Sequence, residues 1–121
     1  MNRLTKKEEQ IMLIIWGLER AMVKDIIGEL PAPAPHVNTV SSMVRLLEEK
    51  GFLSHKAYGK TYEYYPIISK EAYRNQFMDL VVKDYFSSSY KNVISSFARQ
   101  ENISIEELKE IIEAIENERD E

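Results

Sequence analysis

The stretch Asn38–Gly51, NTVSSMVRLLEEKG, runs directly into Phe52–Pro66, FLSHKAYGKTYEYYP. At about 100° per residue, Val40, Met43, Val44 and Leu47 of the first segment share one helical face, with Leu46 at its margin. Asn38, Ser41, Ser42, Arg45 and Glu49 share the opposite face. The spacing predicts a helix over Asn38–Lys50, with Asn38 as N-cap and Gly51 as C-cap. In the second segment, Phe52–Ala57 and Thr61–Tyr65 are rich in aromatic and β-branched residues and flank Tyr58-Gly59-Lys60. That pattern predicts a hairpin with glycine at its tip.

Two helices are expected upstream. Thr5 and Glu8 form a T-x-x-E capping box, which starts a helix near Lys6. Ile11–Trp16 and Leu18 make that helix apolar around more than half its circumference, so deep burial is expected. A short helix over Val23–Leu30 carries Ile26, Ile27 and Leu30 on one side. Pro31, Pro33 and Pro35 stop it, because each lacks an N–H and restricts its predecessor. Three helices followed by a basic, aromatic hairpin form the outline of a winged helix-turn-helix. We therefore expect a mainly α fold, with a winged-helix DNA-binding domain over residues 1–68.

Beyond Pro66 the pattern changes. Ser69 is an expected N-cap, and Tyr73, Phe77, Leu80, Val81 and Tyr85 mark an amphipathic helix that Ser87-Ser88-Ser89 breaks. Tyr90, Val93, Ile94 and Phe97 mark a shorter helix. Ser104 and Glu107 form a second capping box, and Ile105, Leu108, Ile111, Ile112 and Ile115 stripe the last helix. Three separate apolar faces on so few residues cannot build a core alone. Residues 69–121 are therefore expected to be a helical dimerisation region, with a homodimer as the default assembly.

Composition bounds the chemistry. With 121 residues, 44% hydrophobic and 30% charged, the chain is an ordinary folded protein. It has no cysteine, which excludes disulfides, thiolate metal sites and thiol nucleophiles. Two histidines, His36 and His55, make a poor metal site. Nothing in the sequence sets a nucleophile beside a base or forms a phosphate loop, so neither an enzyme nor a cofactor is expected. The longest apolar run is too short to span a bilayer, and MNRLTKKEEQ lacks a signal-peptide core. A cytoplasmic location is expected. The net charge of −4 is unevenly placed: residues 1–66 carry +1 and residues 67–121 carry −5. The near-neutral half can approach phosphates while the acidic end faces away.

The polar face of the third helix is the sharpest candidate site. Small Ser41 and Ser42 allow close approach to a groove floor, and Arg45 suits a guanine edge. Asn38 and Thr39 suit a base edge or a phosphate. His55, Lys56, Tyr58 and Lys60 on the hairpin are expected to grip phosphate, as are Lys6, Lys7 and Lys24 at helix starts. Tyr62, Tyr64 and Tyr65 are expected to pack the hairpin onto the helices. The bland alternatives are a solvated helix face, an edge hairpin guarded by charge and ordinary surface lysines. A rival reading is a winged helix that serves as a protein-interaction module, without sequence-specific DNA binding.

LTKKEEQIMLIIWGL, VKDIIGEL and NTVSSMVRLLEEKGFLSHKAYGKTYEYYPIISKEAY resemble the penicillinase-repressor family, whose members are β-lactam-responsive repressors and copper-responsive relatives. The likeness runs over nearly the whole chain. It implies a homodimeric repressor that binds a palindromic double-stranded DNA operator. KDYFSSS and the helix after it are similar to the family's dimerisation region. The implied dimer set is Tyr73, Phe77, Leu80, Val81, Tyr85, Phe86, Val93, Ile94, Phe97, Leu108, Ile111, Ile112 and Ile115. In the β-lactam branch a membrane-bound sensor metalloprotease signals the drug, and the repressor is cut between Asn and Phe. The matching bond here is Ser96–Phe97; Phe97 fits, and Ser96 departs from the pattern. The copper branch uses C-terminal cysteine pairs, which this chain lacks.

Overall fold

The computed structural model describes residues 3–119. Six helices and one hairpin follow in order: α1 (Lys6–Leu18), α2 (Val23–Glu29), α3 (Val37–Glu49), β1 (Leu53–Tyr58), β2 (Thr61–Pro66), α4 (Lys70–Tyr85), α5 (Tyr90–Gln100) and α6 (Ile105–Arg119). The chain forms two compact units, one up to Phe77 and one from Met78.

The first unit is built on α1. Its capping box is complete: the Glu8 amide donates to Thr5 Oγ1 at 3.2 Å, and the Thr5 amide donates to Glu8 Oε1 at 2.8 Å. Ile11, Met12 and Ile15 are buried, but Leu13 and Leu18 are exposed. A helix packed mainly on one side cannot cover an apolar run that circles it, so the expected deep burial holds only for the i, i+4 stripe. Val40, Val44 and Leu47 of α3 and Ile26 of α2 meet that stripe, and Phe52, Leu53, Tyr64 and Tyr73 complete the core.

Both ends of α3 differ in detail from expectation. The helix starts at Val37, and His36 caps it: its Nδ1 accepts the Asn38 amide at 3.1 Å. An imidazole nitrogen two residues upstream satisfies an orphan N–H as a hydroxyl would. Asn38 is thereby released from capping and lies inside the first turn. At the other end Lys50 is the C-cap, and Gly51 follows it at φ 87°. The Gly51 amide donates to the Glu48 carbonyl and the Phe52 amide to the Leu47 carbonyl, both at 3.0 Å. This is a Schellman ending, which needs the left-handed backbone that glycine adopts freely. It turns the chain so that Phe52 enters the core and β1 begins at once.

The hairpin pairs Leu53 with Pro66 through Tyr58 with Thr61. Its turn is therefore the two residues Gly59-Lys60, tighter than the three expected, with Gly59 at φ 63° in the first position. Only Tyr64 of the three tyrosines expected to pack inward is buried; Tyr62 and Tyr65 are exposed. Strand alternation turns Tyr65 to the face opposite Tyr64, and Tyr62, on the Tyr64 face, lies nearer the hairpin tip. Tyr64 exchanges both backbone hydrogen bonds with Ala21, at 2.8 and 2.9 Å, which ties the wing to the α1–α2 connection. Leu30 lies just past the end of α2, one residue short of the predicted boundary.

Glu8 is 3% exposed, and Lys50 Nζ donates to its Oε2 at 2.7 Å. This bond joins the start of α1 to the end of α3. Burial pushes the Glu8 pKa up, but the Lys50 hydrogen bond, the Thr5 amide and hydroxyl, and the ammonium charge outweigh it and hold the carboxyl below its ordinary value. The unfolded chain then binds the proton at higher pH than the folded chain does. The contribution is full above the ordinary glutamate pKa of about 4.3 and is lost as pH falls through the lower folded value. Glu8→Gln is expected to cost about 1–3 kcal/mol at pH 7. It should also flatten the fall in stability below about pH 4.3, as read by urea unfolding across pH. An unchanged pH profile would count against the ion pair.

The second unit has a thin interior. Val82 of α4 and Val93 of α5 are buried. Ser69 Oγ accepts the Ala72 amide at 3.0 Å at the start of α4. Ser87 and Ser88, at φ 51° and 63°, break the chain between α4 and α5. Ser89 caps α5 by accepting from the Asn92 amide, and Ser104 caps α6 by accepting from the Glu107 amide. The boundary between units falls within α4, nine residues beyond the expected division, because Tyr73 and Phe77 pack into the first core. The phenol oxygen of Tyr73 accepts the Leu4 amide at 3.1 Å, so this ring is committed to the N-terminal unit.

Candidate nucleic-acid interface

The exposed face of α3 is set by what its other face buries. Val40, Val44 and Leu47 point into the core, so Asn38, Thr39, Ser42, Arg45 and Glu49 stand exposed, and Ser41 is half-buried beside them. The exposed residues 38, 42, 45 and 49 follow one helical stripe. Ser42, the shortest side chain of this stripe, lies between Asn38 and Arg45.

The hairpin supplies the neighbouring cations. Lys56 lies over the Tyr58 ring at 5.3 Å from its centroid, which holds both side chains near the tip. Lys60 is exposed in the turn itself. Lys7 of α1 and Thr39 of α3 line one cleft of about 200 Å³, floored by Ile11, Val40 and Met43, so the fold brings Lys7 to the N-terminal end of α3. Lys6 and Lys24 are exposed, Lys6 in a shallow groove with Glu9 and Leu13.

His55 is placed differently from the other wing residues. Its Nδ1 is 2.5 Å from Glu48 Oε1, and its ring is stacked on Tyr62 with centroids 4.2 Å apart. It faces α3 and the hairpin's aromatic side. Near it, burial raises the Tyr64 phenol pKa; the Glu48 charge adds to this, and the Arg45 charge opposes it. Arg45, Glu48, His55, Tyr62 and Tyr64 therefore form one electrostatically connected cluster. Glu48 is not among the residues singled out from the sequence. Its pairing seven residues downstream depends on the Schellman turn, and no local pattern signals it.

The second unit presents apolar side chains to solvent. Leu80, Tyr85, Tyr90, Ile94, Phe97, Ile105, Ile111, Ile112 and Ile115 are all exposed. Val81, Phe86 and Leu108 are half-buried, and Val93 is buried. Ser96 and Phe97 lie inside α5, with Ser96 half-buried.

A helix-turn-helix whose third helix runs into a two-stranded wing defines a winged-helix protein. With a helical second unit added, the class is that of two-part winged-helix regulators. The chain belongs to the penicillinase repressor family, whose model matches residues 4–117, and membership makes it a transcriptional repressor. It is 21% identical over 109 residues to the methicillin resistance regulatory protein MecI of Staphylococcus aureus (strain N315), with 89% of each chain covered. The MecI protein of Mammaliicoccus sciuri matches with the same figures. A penicillinase repressor of Bacillus licheniformis is 22% identical over 115 residues, covering 94% of this chain and 90% of its own. These relatives are named as regulators and a repressor. Among the described residues no helix is long and apolar enough to cross a membrane.

Proposed function

We propose that two copies of this chain bind a palindromic DNA operator and block transcription. Asn38, Thr39, Ser41, Ser42 and Arg45 read bases, while Lys56, Tyr58 and Lys60 hold phosphate, with help from Lys6, Lys7 and Lys24. One observation carries this reading: the exposed stripe of α3 bears small and hydrogen-bonding side chains and ends against a wing whose tip carries lysines. Arginine offers two donors to guanine O6 and N7, which is worth about 1–3 kcal/mol of discrimination. Lysine at the tip contributes a counterion-release contact without sequence information.

Gel-shift titrations separate these roles. Arg45→Ala should weaken operator binding by about 1–3 kcal/mol and random DNA far less. Lys60→Ala should weaken both alike and reduce the salt slope by about one. An equal loss on operator and random DNA in Arg45→Ala would remove Arg45 from base reading.

The second unit supports the homodimer. A folded unit that buries few side chains and exposes isoleucines on α6 and Ile94 and Phe97 on α5 leaves an apolar surface that water disfavours. A second copy covers it by symmetry. Release from DNA is proposed to follow cleavage at Ser96–Phe97 by a membrane-bound sensor metalloprotease. Because the bond lies inside α5, that helix must open before an extended segment can enter a protease. Co-expression with such a protease should yield a fragment beginning at Phe97 by mass spectrometry. An intact chain under induction would exclude this route.

A further inference from the structure

The last turn of α3 is tied in two directions. Lys50 reaches Glu8 of α1 at 2.7 Å, and Glu48 reaches His55 of β1 at 2.5 Å. The second tie continues into the wing. The His55 ring lies 19° from parallel with Tyr62 at 4.2 Å and packs at 5.6 Å against Tyr64, its cross-strand partner. Tyr64 is buried and exchanges two backbone hydrogen bonds with Ala21. An unbroken set of contacts thus runs from the recognition helix through Glu48, His55 and Tyr64 to the α1–α2 connection.

The chemistry of the pair is directional. An ionised carboxylate only accepts, so Nδ1 of His55 is the donor, and this orients the ring. With Nδ1 engaged and the ring face covered by Tyr62, His55 is turned from the phosphate role that its place on the hairpin suggested. An exposed polar side-chain pair contributes little to stability. This one joins the two elements that must reach DNA together, and both side chains are about two-thirds buried.

We infer that Glu48 and His55 are positioning residues that set the wing against the recognition helix, so that Arg45 and the Lys56–Lys60 tip engage one DNA site at the same time. This rests on the DNA-binding reading above. It gives an acidic residue on a DNA-binding helix a favourable role, which simple charge repulsion does not.

The sign of one substitution separates the two ideas. Removing a carboxylate near DNA should tighten binding if charge alone matters. Glu48→Ala is instead expected to weaken operator binding roughly 5-fold, and His55→Ala by a similar factor. The double variant should bind no more weakly than either single one, because both remove one brace. Glu48→Gln keeps an acceptor oxygen for Nδ1 and should bind as tightly as the unaltered chain, or more tightly. The salt slope of His55→Ala should match that of the unaltered chain, whereas Lys60→Ala loses about one unit. All variants are compared where circular dichroism shows full folding. Tighter binding by Glu48→Ala, additive losses in the double variant, or a slope loss of about one in His55→Ala would overturn the brace. Unchanged binding in these variants while Arg45→Ala weakens it removes the brace and leaves DNA reading intact. No operator binding by the unaltered chain removes both.

Discussion

Ile112→Glu is expected to convert the chain to a monomer and lower its operator affinity by about 10²–10⁴-fold, without changing its fold. The side chain is 55% exposed on α6, so the protomer tolerates a carboxylate there. In a homodimer the same position lies on the Ile105–Ile115 stripe, where an unpaired charge would have to be desolvated at a cost of several kcal/mol. The loss of affinity follows from tethering. With two half-sites on one operator, the second binding event of a dimer is intramolecular, and that advantage spans about 10²–10⁴. Sedimentation should show one species near 14.2 kDa, and affinity for a single half-site should be unchanged. A variant that stays dimeric would place the interface elsewhere on the second unit.

Phe52→Ala is expected to destabilise the first unit by about 3–5 kcal/mol, the range for truncating a buried aromatic ring. Phe52 is 1% exposed, and its ring meets Tyr73 edge-on with centroids 5.8 Å apart. It sits where the Schellman turn delivers the chain from α3 into β1. Domains of this size are stable by about 5–15 kcal/mol, so the variant should approach half-unfolding under mild denaturant. Urea unfolding followed by Trp16 fluorescence reads this directly, because the indole N–H donates to the Ile68 carbonyl at 2.9 Å in the same unit. A loss below about 1 kcal/mol would mean that Phe52 does not hold the helix and the wing together.

Much of this architecture was legible because its signals are local. The Thr5–Glu8 box, the Val40–Val44–Leu47 stripe, the glycine after Lys50 and the glycine at the hairpin tip each act within a few residues. The exposed face of α3 followed by subtraction, since a helix that buries one stripe must present the other. His36 was missed as a cap because its ring nitrogen substitutes for the usual hydroxyl or carboxyl. Tyr73 and Phe77 share the spacing of Leu80 and Val81, yet they join the core of the first unit. A periodic pattern does not say which of two cores an apolar side chain joins.

The sequence by itself determined the order of elements, the winged-helix outline, the absence of cysteine chemistry and the uneven charge. It also carried the family likeness that the comparison over residues 4–117 bears out. These depend on residue identity and short-range spacing. Tertiary structure alone decided which long-range partners meet: Glu8 with Lys50 across 42 residues, Tyr64 with Ala21, and Glu48 with His55 around a left-handed turn. Such pairs form only once the core has fixed the angles between helices. A charge that looks solvated in the chain can then become a contact between two elements.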